Sequence, residues 1–319
     1  MFDGLQDLAF GVAPGRWSMV RCTECETAYL DPRPDSNSIG RAYERYYTHQ
    51  LDNSLPFWKQ TGMLARMKID YLNRNYGYRF PGGLPFGGWA LERMHKAFRV
   101  DFAIRHLPAP VTGLIRLLDV GCGDGLFVRL ANQLGFDAKG IDPDPSAIAD
   151  GRAHGLDLVS GIFPDPSFTD GGFHHVTMNH VLEHLHQPRE AIAQIFDILA
   201  PGGRLWLSNP NLDALGLHRF GPTWRGLEVP RHLSLYNEHG ARLLLERAGF
   251  VNITHLPPEE EARFYFTQSS AMANGRDPYA TQNEAPDKTL LAQADDATRQ
   301  ARKQPNVAES LTMIAFKPL

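Results

Sequence analysis

The chain has little that would tie it to a membrane, a nucleic acid or an oxidising compartment. Only three of its 319 residues are cysteine, too few for a disulfide framework, and reduced thiols suit a cytoplasmic setting. No stretch approaches the roughly 18 consecutive apolar residues that read as a bilayer span. Lysine and arginine number 32 against 36 acidic residues, for a net charge of −4, and no basic stripe announces nucleic acid. The opening MFDGLQDLAFGV lacks the basic flank and continuous apolar centre of a secretory signal. A Walker lysine-and-hydroxyl loop is missing as well, so phosphoryl transfer has no support. What is present is a hydrophobic content of 43%, enough for one full α/β core with a smaller appendage.

The most informative stretch is Leu117-Leu118-Asp119-Val120-Gly121-Cys122-Gly123-Asp124-Gly125. The apolar run from Ile115 to Val120 reads as a buried parallel strand, and Leu126 to Leu134 has helical periodicity. Glycines at alternate positions between them let the backbone turn tightly and let a ligand approach. The dinucleotide fingerprint needs a glycine where Leu126 stands. The next strand, Ala138 to Ile141, ends in Asp142, roughly 20 residues past the first glycine, where a carboxylate is placed to meet ribose hydroxyls. Strands are expected near 115–120, 138–142, 157–160, 173–179 and 203–208, alternating with helices as in a parallel sheet covered on both faces. A helix over Glu238–Ala248 and a strand over Phe250–Thr254 follow. From Pro257 to Asn306 a polar, mobile excursion is expected, carrying Glu259-Glu260-Glu261 and several X-Pro pairs, with one short helix near Leu290–Arg302.

Taken in order, LLDVGCGDGLFVRLANQLGFDAKGID, GIFPDPSF, HHVTMNHVLEHLHQP, LAPGGRLWLSNPN and WRGLEVPRHLSLYNEHGARLLLERAGF resemble the motifs of class I S-adenosylmethionine-dependent methyltransferases. The resemblance covers about residues 112–256. It implies a Rossmann-like α/β fold with a seven-stranded sheet, mostly parallel, whose last strand, Ser310 to Phe316, is antiparallel. It implies S-adenosylmethionine as cofactor, with the methionine end at the backbone near Gly121 and Gly123. By the same resemblance Asp142 meets the ribose, Gly161-Ile162-Phe163 flanks the adenine, Asp119 orders the loop and the amino group, and Cys122, Gly125, Pro143 and Asn179 complete the cofactor set. Two positions depart from the family pattern. Gly161 and Ile162 stand where an acid often meets the adenine amino group, and Phe173-His174 replaces Phe-Asp at the fourth strand.

Residues 1–50 carry Cys22-Thr23-Glu24-Cys25 and Asp31-Pro32-Arg33-Pro34, which resemble the second knuckle of an N-terminal zinc ribbon and its exit. With no first knuckle before Cys22, the four thiolates of a structural zinc site are not available. The segment reads as a degenerate ribbon or a chain start placed too late, and no metal is expected. Residues 51–110 form a helical lid or substrate segment rich in aromatics, among them Phe57 and Trp58, following Tyr43, Tyr46 and Tyr47. Within it a helix over Trp89–His106 places Met94, Phe98 and Phe102 four apart, with Arg93, Lys96, Arg99 and Arg105 as a basic face. Core packing or a lid is the expected role, ahead of a weak membrane-surface contact. The methyltransferase domain then runs from 111 to 319.

Methyl transfer by in-line displacement needs alignment and exclusion of water, and a base if the acceptor is a hydroxyl. His184 is the first candidate, with Glu183 to orient it, although both residues open a helix and capping is the alternative. His232 is the second. It lies in Trp224-Arg225-Gly226-Leu227-Glu228-Val229-Pro230-Arg231-His232-Leu233, a segment expected to overhang the acceptor. There Trp224, Arg231 and His232 are candidate substrate contacts, with Arg231 facing a carboxylate or phosphate or else pairing with Glu228. His180, His184 and His186 invite a metal reading, but no nearby cysteine or aspartate completes a site. His174, His175 and Cys122 read as packing residues. The expected activity is O-methylation of a small-molecule or glycan-linked acceptor, a sugar, surface polysaccharide or secondary metabolite. The rivals are a nicotinamide-dependent oxidoreductase and a non-catalytic cofactor-binding protein.

Overall fold

A computed structural model describes residues 1–43, 59–111, 113–169, 171–258, 260–279 and 287–319. Tyr46, Tyr47, Phe57, Trp58 and Glu259 lie outside the described residues. The strands are β1 Phe2–Leu5, β2 Trp17–Arg21, β3 Ala28–Asp31, β4 Arg116–Val120, β5 Asp137–Asp142, β6 Asp157–Ser160, β7 Phe173–Asn179, β8 Leu199–Pro210, β9 Ser234–Leu235, β10 Val251–His255 and β11 Ser310–Phe316. The helices are α1 Met63–Tyr76, α2 Gly87–Arg93, α3 Phe98–Ala103, α4 Leu126–Gln133, α5 Pro145–Ala153, α6 Pro188–Ile198, α7 Leu215–Phe220, α8 Glu238–Arg247, α9 Ala262–Ala273 and α10 Lys288–Lys303. The seven-stranded sheet has the order β10-β11-β8-β7-β4-β5-β6, and a four-stranded sheet the order β1-β2-β3-β9. No helix among the described residues is long and apolar enough to cross a membrane.

The chain divides into two compact units. The turn unit comprises Thr48–Asp165 and Gly172–Thr177. In it β4 pairs in parallel with β5, and β5 with β6. Its core joins Leu72, Leu91, Ile104 and Leu107 to Leu117, Val128, Ala131 and Leu158, and each fully buried Leu, Ile or Val among them contributes roughly 1.5–3 kcal/mol. Helix α5 begins where Asp144 accepts from the Ser146 and Ala147 amides, with Pro145 at the first helical position, a start that satisfies otherwise orphaned N–H groups. The single helix expected over Trp89–His106 is instead the pair α2 and α3, interrupted at Met94–Ala97 with His95 in the left-handed region. Nor is Arg105 part of an outer basic face, because it is buried.

The histidine unit comprises Met1–Tyr47, Pro166–Gly171 and Met178–Leu319. Strand β11 runs antiparallel to both β8 and β10, as expected. The antiparallel sheet β1-β2-β3 carries Cys22 and Cys25, both free thiols, at the turn between β2 and β3. This sheet packs in a core with Leu212, Trp224, Leu227 and Leu233. Among its described residues, the stretch expected to be an excursion with one short helix holds both α9 and α10. Ala262, Tyr265, Phe266, Ser269 and Met272 of α9 are all buried, a spacing of three and four that forms one helical face. That face outweighs the acidic run before it.

Candidate functional site

The glycine turn follows β4. Gly121, Gly123 and Gly125 take φ of 74°, 55° and 85°, values that residues with a Cβ adopt only at a cost. The turn spends its donors inward. The amides of Gly121 and Cys122 donate to the Ile141 carbonyl at 2.8 and 3.1 Å. The Gly123 amide donates to the Asp142 carboxylate at 2.9 Å, and the Asp144 amide donates to its other oxygen at 2.9 Å. Asp142 therefore fastens the second strand end to the turn, a role that its spacing alone did not disclose. Burial raises its pKa, and the two amides oppose that shift. Within the turn, one oxygen of buried Asp124 has no hydrogen-bond partner, while the other accepts from the Leu126 amide. Cys122 is buried, and burial pushes its thiol up, which suits a packing residue. A Cβ built on Gly140 of β5 would meet its Sγ at 2.6 Å, so Gly140 makes room for the turn. The adenine-turn candidates are Gly161, half-buried; Ile162, 67% exposed; and Phe163, buried. Pro143 is exposed beside Asp142.

The sequence reading missed what lies beneath the turn. Asp119, 1% exposed, forms an ion pair with Arg105 and accepts from the Thr177 hydroxyl at 2.8 Å. Arg105 also donates to Thr177 at 2.8 Å and lies 3.6 Å from the Phe127 ring centroid. Burial pushes the Asp119 carboxyl up and the Arg105 guanidinium down, and each group counters the other's shift. Asp119 is thus fixed from below while the chain enters the turn. Nothing in the spacing of Arg105 distinguished it from the exposed Arg93 and Arg99.

In the histidine unit the two candidate bases come together. The rings of His184 and His232 cross at 72° with centroids 4.7 Å apart. Glu183 and His184 form a short 3-10 turn, Leu182–His184, and neither caps α6, which starts after Gln187. His184 Nδ1 lies 3.1 Å from the Arg231 carbonyl and 3.0 Å from the Tyr43 hydroxyl. His232, 4% exposed, places its Nδ1 2.8 Å from the Gly226 carbonyl. Burial pulls its pKa down to about 4, against Glu228 and together with His184, so at neutral pH it is an uncharged imidazole. Glu183 is fully buried and reaches His180 Nδ1 at 3.2 Å. Burial alone would raise its pKa, but His180, His184 and His232 hold the carboxyl below its usual range. His180 and Glu228 both stand at positive φ, 53° and 34°, and such strain in non-glycine residues gathers at functional sites.

A buried charge network supports this cluster. Arg231 is 0% exposed and pairs with Asp7 at 2.5 Å and Glu228 at 3.1 Å, while donating to the Ala42 carbonyl at 2.8 Å. Its guanidinium is taken up within the protein, so it holds the loop's shape rather than meeting an acceptor. Burial raises the Asp7 pKa, but Arg231 reverses the shift and keeps it low. Glu228 also pairs with Arg225, and despite burial these charges depress its pKa strongly. Trp224 is likewise internal, donating its indole N–H to Glu309 at 2.8 Å and stacking on Tyr265. His186 reaches the Pro34 carbonyl at 3.0 Å, away from this cluster. His174 Nδ1 accepts from the Arg116 amide at 3.1 Å, and His175 packs edge-on against Phe136. Asn179 ends β7 with a buried side-chain oxygen that has no partner.

Residues 68–255 match the family described as a methyltransferase domain, more than half of the chain. A ubiquinone biosynthesis O-methyltransferase of Xanthomonas oryzae pv. oryzae (strain PXO99A) is 35% identical over 103 residues, 30% of this chain and 43% of the relative. One from Xanthomonas campestris pv. campestris (strain B100) is 32% identical over 120 residues, 35% of this chain and 49% of the relative. The chain thus spans less than half the length of these relatives. Among solved structures, a SAM dependent methyltransferase from Archaeoglobus fulgidus is 18% identical, with a TM-score of 0.46 over 72% of this chain and 98% of that one.

Proposed function

Because the chain belongs to the methyltransferase-domain family, we propose that it transfers the methyl group of S-adenosylmethionine to an oxygen of a small-molecule or glycan-linked acceptor. The observation that carries this reading is the polarity of the glycine turn. Its amides point inward to Ile141 and Asp142, while Asp142 and an unpartnered oxygen of Asp124 stand beside it. A turn that offers acceptors suits a ligand bearing an ammonium and a sulfonium. A pyrophosphate would need outward N–H groups and few carboxylates. The missing glycine at Leu126 argues the same way against a nicotinamide cofactor.

When bound, S-adenosylmethionine supplies an activated methyl group on a positively charged sulfur. The backbone of Gly121, Cys122, Gly123 and Gly125 accepts from the amino-acid end, with Asp119 ordering the loop that does so. Asp142 holds the ribose, and Pro143, Gly161, Ile162 and Phe163 complete the cofactor set within the same unit. Exposed Ile162 gives the adenine an apolar surface to cover. Holding the reactants in line accounts for much of the acceleration, ~7–11 kcal/mol in well-oriented systems. The cluster of His184 and His232, with Glu183 between its histidine neighbours, is where an acceptor hydroxyl loses its proton. The names of the curated relatives favour oxygen as the attacking atom. The resemblances at Asp31–Pro34 and Pro230–Leu233 favour a sugar, surface polysaccharide or secondary metabolite.

The test is transfer of a labelled methyl group from S-adenosylmethionine into fractionated cell extract. Label should enter one fraction, and Asp142→Ala should lower the rate at subsaturating donor at least tenfold. With that acceptor in hand, His184→Ala and His232→Ala should each reduce turnover across pH. Donor binding without transfer to any fraction would leave a non-catalytic binding protein instead.

A further inference from the structure

Glu183, His184 and His232 present one carboxylate oxygen and one nitrogen from each ring, all within 4.8 Å of one another. We propose that these three side chains bind one divalent transition-metal cation, on which the acceptor hydroxyl is held. The sequence reading found no such site because it looked near His180 and His186, whereas the third ligand comes from the distant 224–233 segment.

Three observations point to a ligand at this place. First, Oε2 of Glu183 has no hydrogen-bond partner although the side chain is 0% exposed, and an unpaired carboxylate oxygen in a dry interior is costly unless something arrives to meet it. Oε1 is already engaged by His180, so the free oxygen is the one left for a cation. Second, both imidazoles have the outer support that metal-binding histidines use. Nδ1 of His184 and of His232 face the carbonyls of Arg231 and Gly226 at 3.1 and 2.8 Å. A carbonyl can only accept, so each Nδ1 carries the hydrogen and each Nε2 carries the lone pair that a metal needs. Third, the partners of those rings are themselves fixed. Arg231 is clamped by Asp7 and Glu228, and Glu228 by Arg225.

Two imidazoles and one carboxylate select zinc, manganese, iron or cobalt over magnesium, and leave coordination positions open, as catalytic rather than structural sites do. Atoms bound to one ion at about 2.1 Å stand roughly 3–3.5 Å apart, so the three donors would draw in by about 1 Å on loading. The open positions give the cation its use, which rests on the methyl-transfer reading. An acceptor hydroxyl bound there loses its proton to solvent more readily. Its oxygen then forms the new O–CH3 bond as the S–CH3 bond breaks, and the electron pair passes to sulfur. No electron enters or leaves.

The experiment is cobalt titration of the full chain after chelator stripping, followed by visible absorption and by metal analysis of the dialysed protein. Wild type and the Cys22→Ser/Cys25→Ser variant should each take up one cobalt per chain, which excludes the thiols as its source. Glu183→Gln, close to isosteric, and His184→Ala and His232→Ala should each weaken binding by about 100-fold or more. Wild type that takes up no stoichiometric cobalt overturns the proposal, as does unchanged binding in all three ligand variants. S-adenosylhomocysteine titrated into the same samples separates the two readings. Product binding without cobalt binding sinks the metal site alone, and cobalt binding without product binding sinks the transferase reading alone.

Discussion

Replacing Arg105 with methionine tests how the turn is held in place. The substitution keeps the bulk of the side chain over Phe127 and removes the charge opposite Asp119. In the native protein that carboxylate is 1% exposed and has two partners, Arg105 and Thr177. After substitution only the Thr177 hydroxyl remains. Breaking one side of a buried pair costs about 3–5 kcal/mol, because the remaining charge is buried and uncompensated. The carboxyl can escape part of this by taking a proton. Burial already raises its pKa, and loss of the cation raises it further. A folded pKa above the unfolded one means stability that is present at acid pH and lost as pH rises through the folded value. The cost of Arg105→Met should therefore be small near pH 4 and full at pH 8. Urea unfolding across that range is the assay, with Asp119→Asn and the double variant closing a thermodynamic cycle. The double variant should recover at least half of the loss at pH 8. A cost below about 1 kcal/mol at pH 8, or one independent of pH, would refute the claim that this pair anchors the turn.

Glu309 is buried, and burial lifts its pKa to about 7 against its bonds from Trp224 and Gly216. It should bind a proton on folding, so the urea midpoint should fall as pH rises from about 5 to 8, and Glu309→Gln should flatten that dependence. Gly140→Ala places a Cβ against Cys122 Sγ, so it should destabilise by about 1–3 kcal/mol in thermal unfolding. Cys122→Ala in the same chain should restore part of that loss. Arg231→Met leaves buried Asp7 without its cation, while Glu228 keeps Arg225, and should cost about 3–5 kcal/mol in urea unfolding at neutral pH.

How much of this was legible beforehand follows from what each feature depends on. The parallel strands and their order of appearance were readable because buried apolar runs and the turns between them are local signals. The glycine turn after β4 and the carboxylate of Asp142 at the end of β5 were readable for the same reason. Asp142's bond to the Gly123 amide was not, since register between two strands decides it. Helix α9 was passed over although Ala262, Tyr265, Phe266, Ser269 and Met272 carry a helical stripe, because the acidic run and the prolines beside it suggested a loop. The single helix over Trp89–His106 failed the other way, periodicity continuing across a break that His95 makes in the backbone. Arg105 and Asp7 bear no local mark at all. Their partners are Asp119 and Arg231, and only the folded chain makes those pairs. His184 and His232 were each singled out separately, and their approach to 4.7 Å with Glu183 beside them belongs to tertiary structure alone.

The central claim is that the turn from Gly121 to Gly125, with Asp142, grips a cationic methyl donor. Side-by-side calorimetric titration of the full chain with S-adenosylmethionine and with NADH tests it most directly. The account predicts stoichiometric binding of S-adenosylmethionine, weakened at least tenfold by Asp142→Ala, and no binding of NADH. Binding of NADH alone would contradict it.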